Sequence, residues 1–133
     1  METGLSDSVV LVTGGAGGIG ESICRAFASE GAKVIVHYHE STENADKIAN
    51  EIDGFSIKTD LRDSSQALAL IDTIVENFGK IDICVANAGY YPSESKPIWD
   101  IDEERWNQTI SSNLDVAVNT ARGFLREASR TGS

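Results

Sequence analysis

Apolar positions along this chain change their spacing in a regular rhythm, and that rhythm predicts the elements. Val9-Val10-Leu11-Val12 is an unbroken run of β-branched and aliphatic side chains, as expected of a strand buried on both faces. A glycine-rich turn follows, and from Ile19 the apolar and small residues Ile23, Ala26, Phe27 and Ala28 recur at helical spacing up to Glu30, with Gly31 as the C-terminal stop. Lys33 to His37 holds a second short buried strand around Val34-Ile35-Val36, continuing as His37-Tyr38-His39-Glu40. Ser41 or Thr42 can cap a helix to about Ile52, with Ala45, Ile48, Ala49 and Ile52 on one face. Gly54 to Thr59 alternates Phe55, Ile57 and Thr59 as a third strand, which ends at Asp60-Leu61. Asp63 caps the next helix, with Gln66 in the capping-box position and a stripe of Leu68, Ile71, Ile74, Val75 and Phe78 until Gly79. Ile81 to Ala86 is a fourth strand, closing on Asn87-Ala88-Gly89. A loop follows from Tyr90 to Asp100, with Pro92 and Pro97 excluding regular structure. Asp102 then caps a long helix whose apolar face runs through Trp106, Ile110, Leu114, Ala117, Ala121 and Leu125.

Strand and helix alternating in this way predict an α/β fold: parallel strands joined by crossovers, in one sheet with helices on both faces. In such sheets ligands sit beyond the carboxyl ends of the strands. There the glycine turn, His37 to Glu40, Asp60-Leu61 and Asn87 to Gly89 converge. The turn itself is Thr13-Gly14-Gly15-Ala16-Gly17-Gly18-Ile19-Gly20. It follows a strand and opens a helix, so unpaired N–H groups and the positive end of the helix dipole face whatever fills it, and glycines let a pyrophosphate approach with no Cβ in the way. Two parses fit: G-x-G-x-x-G through Gly15, Gly17 and Gly20, or T-G-x-x-x-G-x-G through Thr13, Gly14, Gly18 and Gly20.

Composition narrows the function classes. The 133 residues make one domain, 1–133, short for a complete dinucleotide enzyme. A net charge of −10 disfavours partners with phosphate backbones or anionic lipid surfaces, so neither nucleic acid nor membrane is expected. Cys24 and Cys84 fall in a helix and a strand and read as buried free thiols; no C-x-x-C spacing or histidine set suggests a metal. The first eight residues are polar, no apolar run reaches the length of a membrane span, and the cytoplasm is the default location.

From Val9 onward the chain resembles the classical short-chain dehydrogenase/reductase family. The likeness rests on Thr13-Gly14-x-x-x-Gly18-x-Gly20, on Asp60 ending the third strand, on Asn87-Ala88-Gly89 ending the fourth, and on Asn113 within Ser111-Ser112-Asn113-Leu114. It favours the second parse. It implies a Rossmann-type, doubly wound parallel sheet in three α/β/α layers, truncated after about four strands. It also implies an NAD(P)-dependent oxidoreductase moving hydride between the cofactor and a carbonyl or secondary alcohol, of 3-oxoacyl reductase or sugar/alcohol dehydrogenase type. Carried over, Gly14, Gly17, Gly18, Ile19 and Gly20 form the pyrophosphate cradle, and Thr13 ties the turn to the Asn87 segment. Asp60 accepts from the adenine amine and the Leu61 amide meets a ring nitrogen. Asn87, Ala88 and Gly89 line the adenosine-ribose and nicotinamide side.

NAD-preferring relatives carry an acidic residue where this chain has Tyr38, so the cofactor choice leans slightly to NADP(H), although no Arg or Lys stands in the turn or beside Tyr38. Glu40 remains a second candidate for the ribose diol, and His37 and His39 read as exposed histidines at a strand end. The family's proton-transfer group is a Tyr with a Lys four residues later, plus a Ser; no tyrosine here is followed by lysine at that spacing. Of the catalytic group only Asn113 is present, with a helix-distorting, water-holding role. The chain therefore reads as the cofactor-binding half of a member, inactive alone. It would act on a small carbonyl or alcohol once paired with a C-terminal half, or form a homo-oligomer through the exposed fourth strand and the last helix. The alternative is a non-catalytic nucleotide-binding or regulatory module that pairs with another subunit.

Overall fold

The computed structural model describes residues 2–132. Four parallel strands form one sheet in the order β3-β2-β1-β4, with β1 Val9–Val12, β2 Lys33–Tyr38, β3 Phe55–Lys58 and β4 Ile83–Val85. Leu11 pairs with Ile35 on one side and Cys84 on the other, so β1 lies at the centre. Its two-sided burial is what an unbroken aliphatic run encodes. Val9, Leu11 and Ile35 point to one face and join Leu70, Ile71 and Ile74 of α3 (Ser64–Phe78) and Val116 at the start of α5 (Val116–Thr131). Val10, Val12, Val34 and Val36 point to the other face, covered by Cys24 of α1 (Gly18–Ser29) and by Ala45, Ile48 and Ala49 of α2 (Thr42–Glu51). Each such aliphatic side chain contributes roughly 1.5–3 kcal/mol of burial free energy.

The helix boundaries follow their expected signals, with two adjustments. Asp63 caps α3 by accepting from the Ser65 and Gln66 amides, and Gly79 ends it with φ +81. Gln66 does not close a reciprocal box with Asp63; its Oε1 accepts from Asp60 N at 3.1 Å, and the Asp63 amide goes to the Asp60 carbonyl instead. Ser41 stands at the N-cap of α2 but makes no side-chain capping bond.

The last helix is where structure and pattern part. It is not one continuous α-helix. Asp102 caps α4 (Glu103–Ile110) by accepting from Arg105 N, a π-helical turn covers Ser111–Asp115, and α5 resumes at Val116. The residues that face the domain are Val116, Asn119, Thr120, Gly123 and Glu127, not the apolar stripe, which stays in the open: Trp106 is 53% and Leu125 61% exposed. The reason is close approach. A Cβ on Gly123 would sit 3.0 Å from Ile71 Cγ1, so α5 meets α3 through a small residue, with Val116 and Phe124 packed on the core beside it and Leu114, Val118 and Leu125 turned outward.

At the sheet edges β3 and β4 are less buried than β1 and β2. Cys84, expected to be buried, is half-buried because β4 is an edge strand, whereas Cys24 is fully enclosed. Burial pushes both thiols up to about 11, which leaves them protonated and unreactive near neutrality.

Candidate functional site

The carboxyl ends of the strands open into a cleft of about 690 Å³, within the range of small-molecule sites. All four anticipated stretches line it: the glycine turn from Gly14 to Gly20, His37 to Glu40, Asp60-Leu61, and Asn87 to Gly89.

Gly14 is the pivot of the turn. Its φ of +64 suits glycine, and a Cβ there would meet the Ala88 backbone at 2.9 Å. Its amide donates to His37 Nδ1 at 3.0 Å, and its carbonyl accepts from Asn87 Nδ2 at 3.2 Å and from the Gly17 amide at 3.2 Å. Thr13 Oγ1 accepts from the Asn87 and Ala88 amides at 2.9 and 3.0 Å, joining the turn to the end of β4. The Gly15 amide donates to the His37 carbonyl, and Asn44 Nδ2 donates to the Ala16 carbonyl. The turn is thus bonded to β2, β4 and α2 at once.

The glycines serve different ends. A Cβ on Gly20 would fall 2.1 Å from the Gly14 carbonyl oxygen and 2.8 Å from Gly15 Cα, so Gly20 is required by the chain's own packing. Gly18 has nothing within 4 Å of a would-be Cβ, and Gly17 only the Gly14 oxygen at 3.6 Å. No internal contact demands their smallness. The space they leave lies at the N-terminus of α1, whose N-cap Gly17 offers no side chain to the first-turn amides. Helix-end amides and dipole with a vacant volume before them fit an anion such as a pyrophosphate.

On the β3 side, Asp60 carries a bidentate pair with Arg62 (Nε to Oδ1 2.9 Å, Nη2 to Oδ2 2.8 Å) and accepts from the Arg62 amide, while His39 Nε2 lies 3.8 Å away. The Arg62 hydrogen bonds hold the Asp60 carboxyl down at about 2, so it is ionised at every physiological pH. Arg62 is the cation that inspection of the turn and of Tyr38 missed, since it comes from the end of the third strand yet lines the same cleft as Tyr38 and Glu40. Asn119, also missed, reaches from α5 to the Leu61 and Arg62 carbonyls at 3.0 and 3.2 Å and fixes that segment. Leu61 itself is buried in the core.

His37 corrects an expectation. Instead of an exposed residue it is 3% exposed, with Nε2 2.9 Å from the Thr59 carbonyl as well as Nδ1 on Gly14. Its alternation on β2 turns it inward, and two polar partners satisfy it there. Burial lowers its pKa below the usual imidazole value.

Across the cleft, Asn113 sits inside the π turn and clips to the backbone of Tyr90 in both directions: Tyr90 N donates to Oδ1 at 3.0 Å, and Nδ2 donates to Tyr90 O at 2.9 Å. Nδ2 also reaches the Thr109 carbonyl at 3.0 Å, and Gly89 passes so close that a Cβ would lie 2.8 Å from Oδ1. Gln108 and Ser112 line the cleft beside it. Among the described residues no group of His, Cys, Asp and Glu is arranged to hold a metal, and no helix is long and apolar enough to cross a membrane.

A parallel sheet with helices on both faces, and a glycine turn at the head of α1, define a Rossmann-like class of protein. Comparison with known proteins narrows it. The model of the family described as short chain dehydrogenase matches residues 8–133, and the chain belongs to that family. An uncharacterised oxidoreductase of Bacillus subtilis, YvrD, is 36% identical over 94% of this chain and 48% of its own length. The 3-oxoacyl-[acyl-carrier-protein] reductase FabG of Staphylococcus aureus is 35% identical over 82% of this chain and 46% of its own. Among solved structures, a short chain dehydrogenase from Burkholderia cenocepacia in complex with NADP superposes with a TM-score of 0.85 at 29% identity. That match covers 92% of this chain and 51% of the other. The chain spans about half the length of the curated relatives it matches.

Proposed function

We propose that this chain carries the cofactor-binding part of an NAD(P)-dependent short-chain oxidoreductase acting on a carbonyl or secondary alcohol. The observation that carries the reading is the open volume before α1, kept free by Gly17 and Gly18, which pack against nothing that would require them. When bound, the nicotinamide supplies or accepts the hydride. The chain's own residues bind and orient. First-turn amides of α1 from Gly18, Ile19 and Gly20 hold the pyrophosphate. Asp60 accepts from the adenine amine, and the Leu61 amide meets a ring nitrogen. Asn87, Ala88 and Gly89 present a small-residue wall against which flat rings lie. Because its side chain is committed to Tyr90, Asn113 serves any proton relay through the carbonyls of the π turn, and its amide shapes that turn.

Three observations support a preference for NADP(H). Tyr38 puts no carboxylate at the end of β2, Arg62 brings a guanidinium into that part of the cleft, and the Burkholderia relative was solved with NADP. The resemblance to FabG favours a carbonyl substrate of the 3-oxoacyl type. The tyrosine–lysine pair of the family is supplied from outside these 133 residues, and so is most of the substrate pocket.

Titration of the purified chain with NADPH and NADH, followed by cofactor fluorescence, tests the reading together with Gly18→Ala. The variant keeps its unfolding free energy in urea within about 0.5 kcal/mol, because its methyl meets no protein atom, and it binds nucleotide about tenfold more weakly. A folded wild-type chain that binds neither nucleotide, or a variant that binds as well as wild type, overturns it.

A further inference from the structure

Buried histidines with both ring nitrogens engaged are fixed in one tautomer. Here the Gly14 amide can only donate and the Thr59 carbonyl can only accept, so Nδ1 carries the lone pair, Nε2 carries the hydrogen, and the ring is neutral. Those two partners belong to different parts of the cleft. Gly14 belongs to the turn that faces the pyrophosphate, and Thr59 adjoins Asp60 on the adenine side. The backbone of the same residue adds a third tie, its carbonyl accepting from the Gly15 amide at 2.9 Å.

We propose that His37 is a positioning residue for the dinucleotide. Its neutral imidazole locks the glycine turn to the end of β3, so that the pyrophosphate and adenine subsites keep a fixed separation. This rests on the reading of the cleft as a nucleotide site. A hydrogen added at Nδ1 would face the Gly14 N–H, so a charged ring would have to release the turn. Burial makes that protonation unfavourable, and the cation of a protonated His39 adds to the penalty. Of the other charged groups that line that end of the cleft, Asp60 and Arg62 are paired with each other, and Glu40 is an exposed carboxylate. His37 therefore stays neutral through the physiological range, and releases the turn only in acid.

The test combines nitrogen-15 NMR of the histidines with nucleotide titrations at several pH values on the full chain, using NADPH as the probe. His37→Asn puts an amide oxygen near the place of Nδ1 and does not titrate; His37→Leu has no acceptor; His39→Gln removes the neighbouring imidazole. The expected spectrum shows a neutral Nε2–H tautomer, with the ring protonating below the usual imidazole midpoint. Wild-type and His39→Gln affinities fall about tenfold between about pH 7.5 and about pH 5, whereas His37→Asn stays within about threefold of its neutral value. His37→Leu is about tenfold weaker than wild type throughout. An Nδ1–H tautomer, a His37→Asn profile that falls in parallel with wild type, or a His37→Leu chain that binds like wild type overturns the assignment. If His37→Leu does not fold, the asparagine profile decides. A wild-type chain that binds no NADPH sinks the cofactor reading separately. The clamp is then judged on the tautomer and on hydrogen exchange of the Gly14 amide, which must be faster in a folded leucine variant than in wild type.

Discussion

The two sides of the cleft are built on different physics. On the β1–β2 side the turn lies over β1 and over the 34–37 stretch of β2, all 0–3% exposed; His37, Asn87 and Asn44 bond the turn's backbone, and Thr13 ties it to the Asn87 and Ala88 amides. On the other side, α5 packs on α3 through Gly123 and polar residues beside Val116 and Phe124, and Trp106, Leu114, Val118 and Leu125 remain exposed. The first region is closed by its own contacts. The second is held by directed hydrogen bonds from Asn113 and Asn119 and by Val116 and Phe124 packed against the core, while the rest of its large apolar side chains lie in the open.

That contrast can be broken by substitution. Gly20→Ala has the largest expected effect: its methyl would lie 2.1 Å from the Gly14 oxygen, so the turn must move, and most of the folded population is lost in circular dichroism at room temperature. Leu11→Ala, at the fully buried centre of the sheet, costs about 3–4 kcal/mol in urea unfolding, whereas Leu125→Ala, 61% exposed, changes stability by less than about 0.5 kcal/mol. Equal costs at the two positions would mean that the exposed face is covered in solution. Asn113→Ala removes the two-way clip to Tyr90 and costs about 1–2 kcal/mol, with faster hydrogen exchange in the 90–100 loop but not in β1.

Acid sharpens the comparison further. The pKa of His37 is lower folded than unfolded, so the unfolded chain binds more protons in that interval; its contribution is complete above the ordinary imidazole value near 6.5 and is lost as pH falls through the folded value. The urea midpoint should drop between about pH 7.5 and about pH 5, and this drop should be smaller in His37→Asn. Asp60 behaves in the same sense lower down: its contribution is present above the ordinary value of 3.8 and fades toward about 2. Because that pair is solvent-accessible, Asp60→Asn at neutral pH costs about 0.5 kcal/mol or less. Its larger consequence is expected in nucleotide affinity.

Much of this molecule was legible in one dimension because the signals are local. An aliphatic run buried on both faces, a glycine at a helix stop and an aspartate at an N-cap each act within a few residues, so strands, helices and their order could be read directly. The glycine turn, Asp60 and Asn87 to Gly89 were legible for a second reason: parallel strands bring their carboxyl ends to one edge, whatever the loops between them. What needed the tertiary structure was orientation across distance. His37 looks like a surface residue beside His39 until the register of β2 turns it toward Gly14 and Thr59. Arg62 lies 24 positions beyond Tyr38 yet shares its cleft. The heptad-like stripe of the last helix promised a buried apolar face, but the distance of closest approach at Gly123, and the turn widened at Asn113, decided which side met α3. Periodicity specifies that a helix has two faces; only packing against a particular neighbour selects the one that is buried.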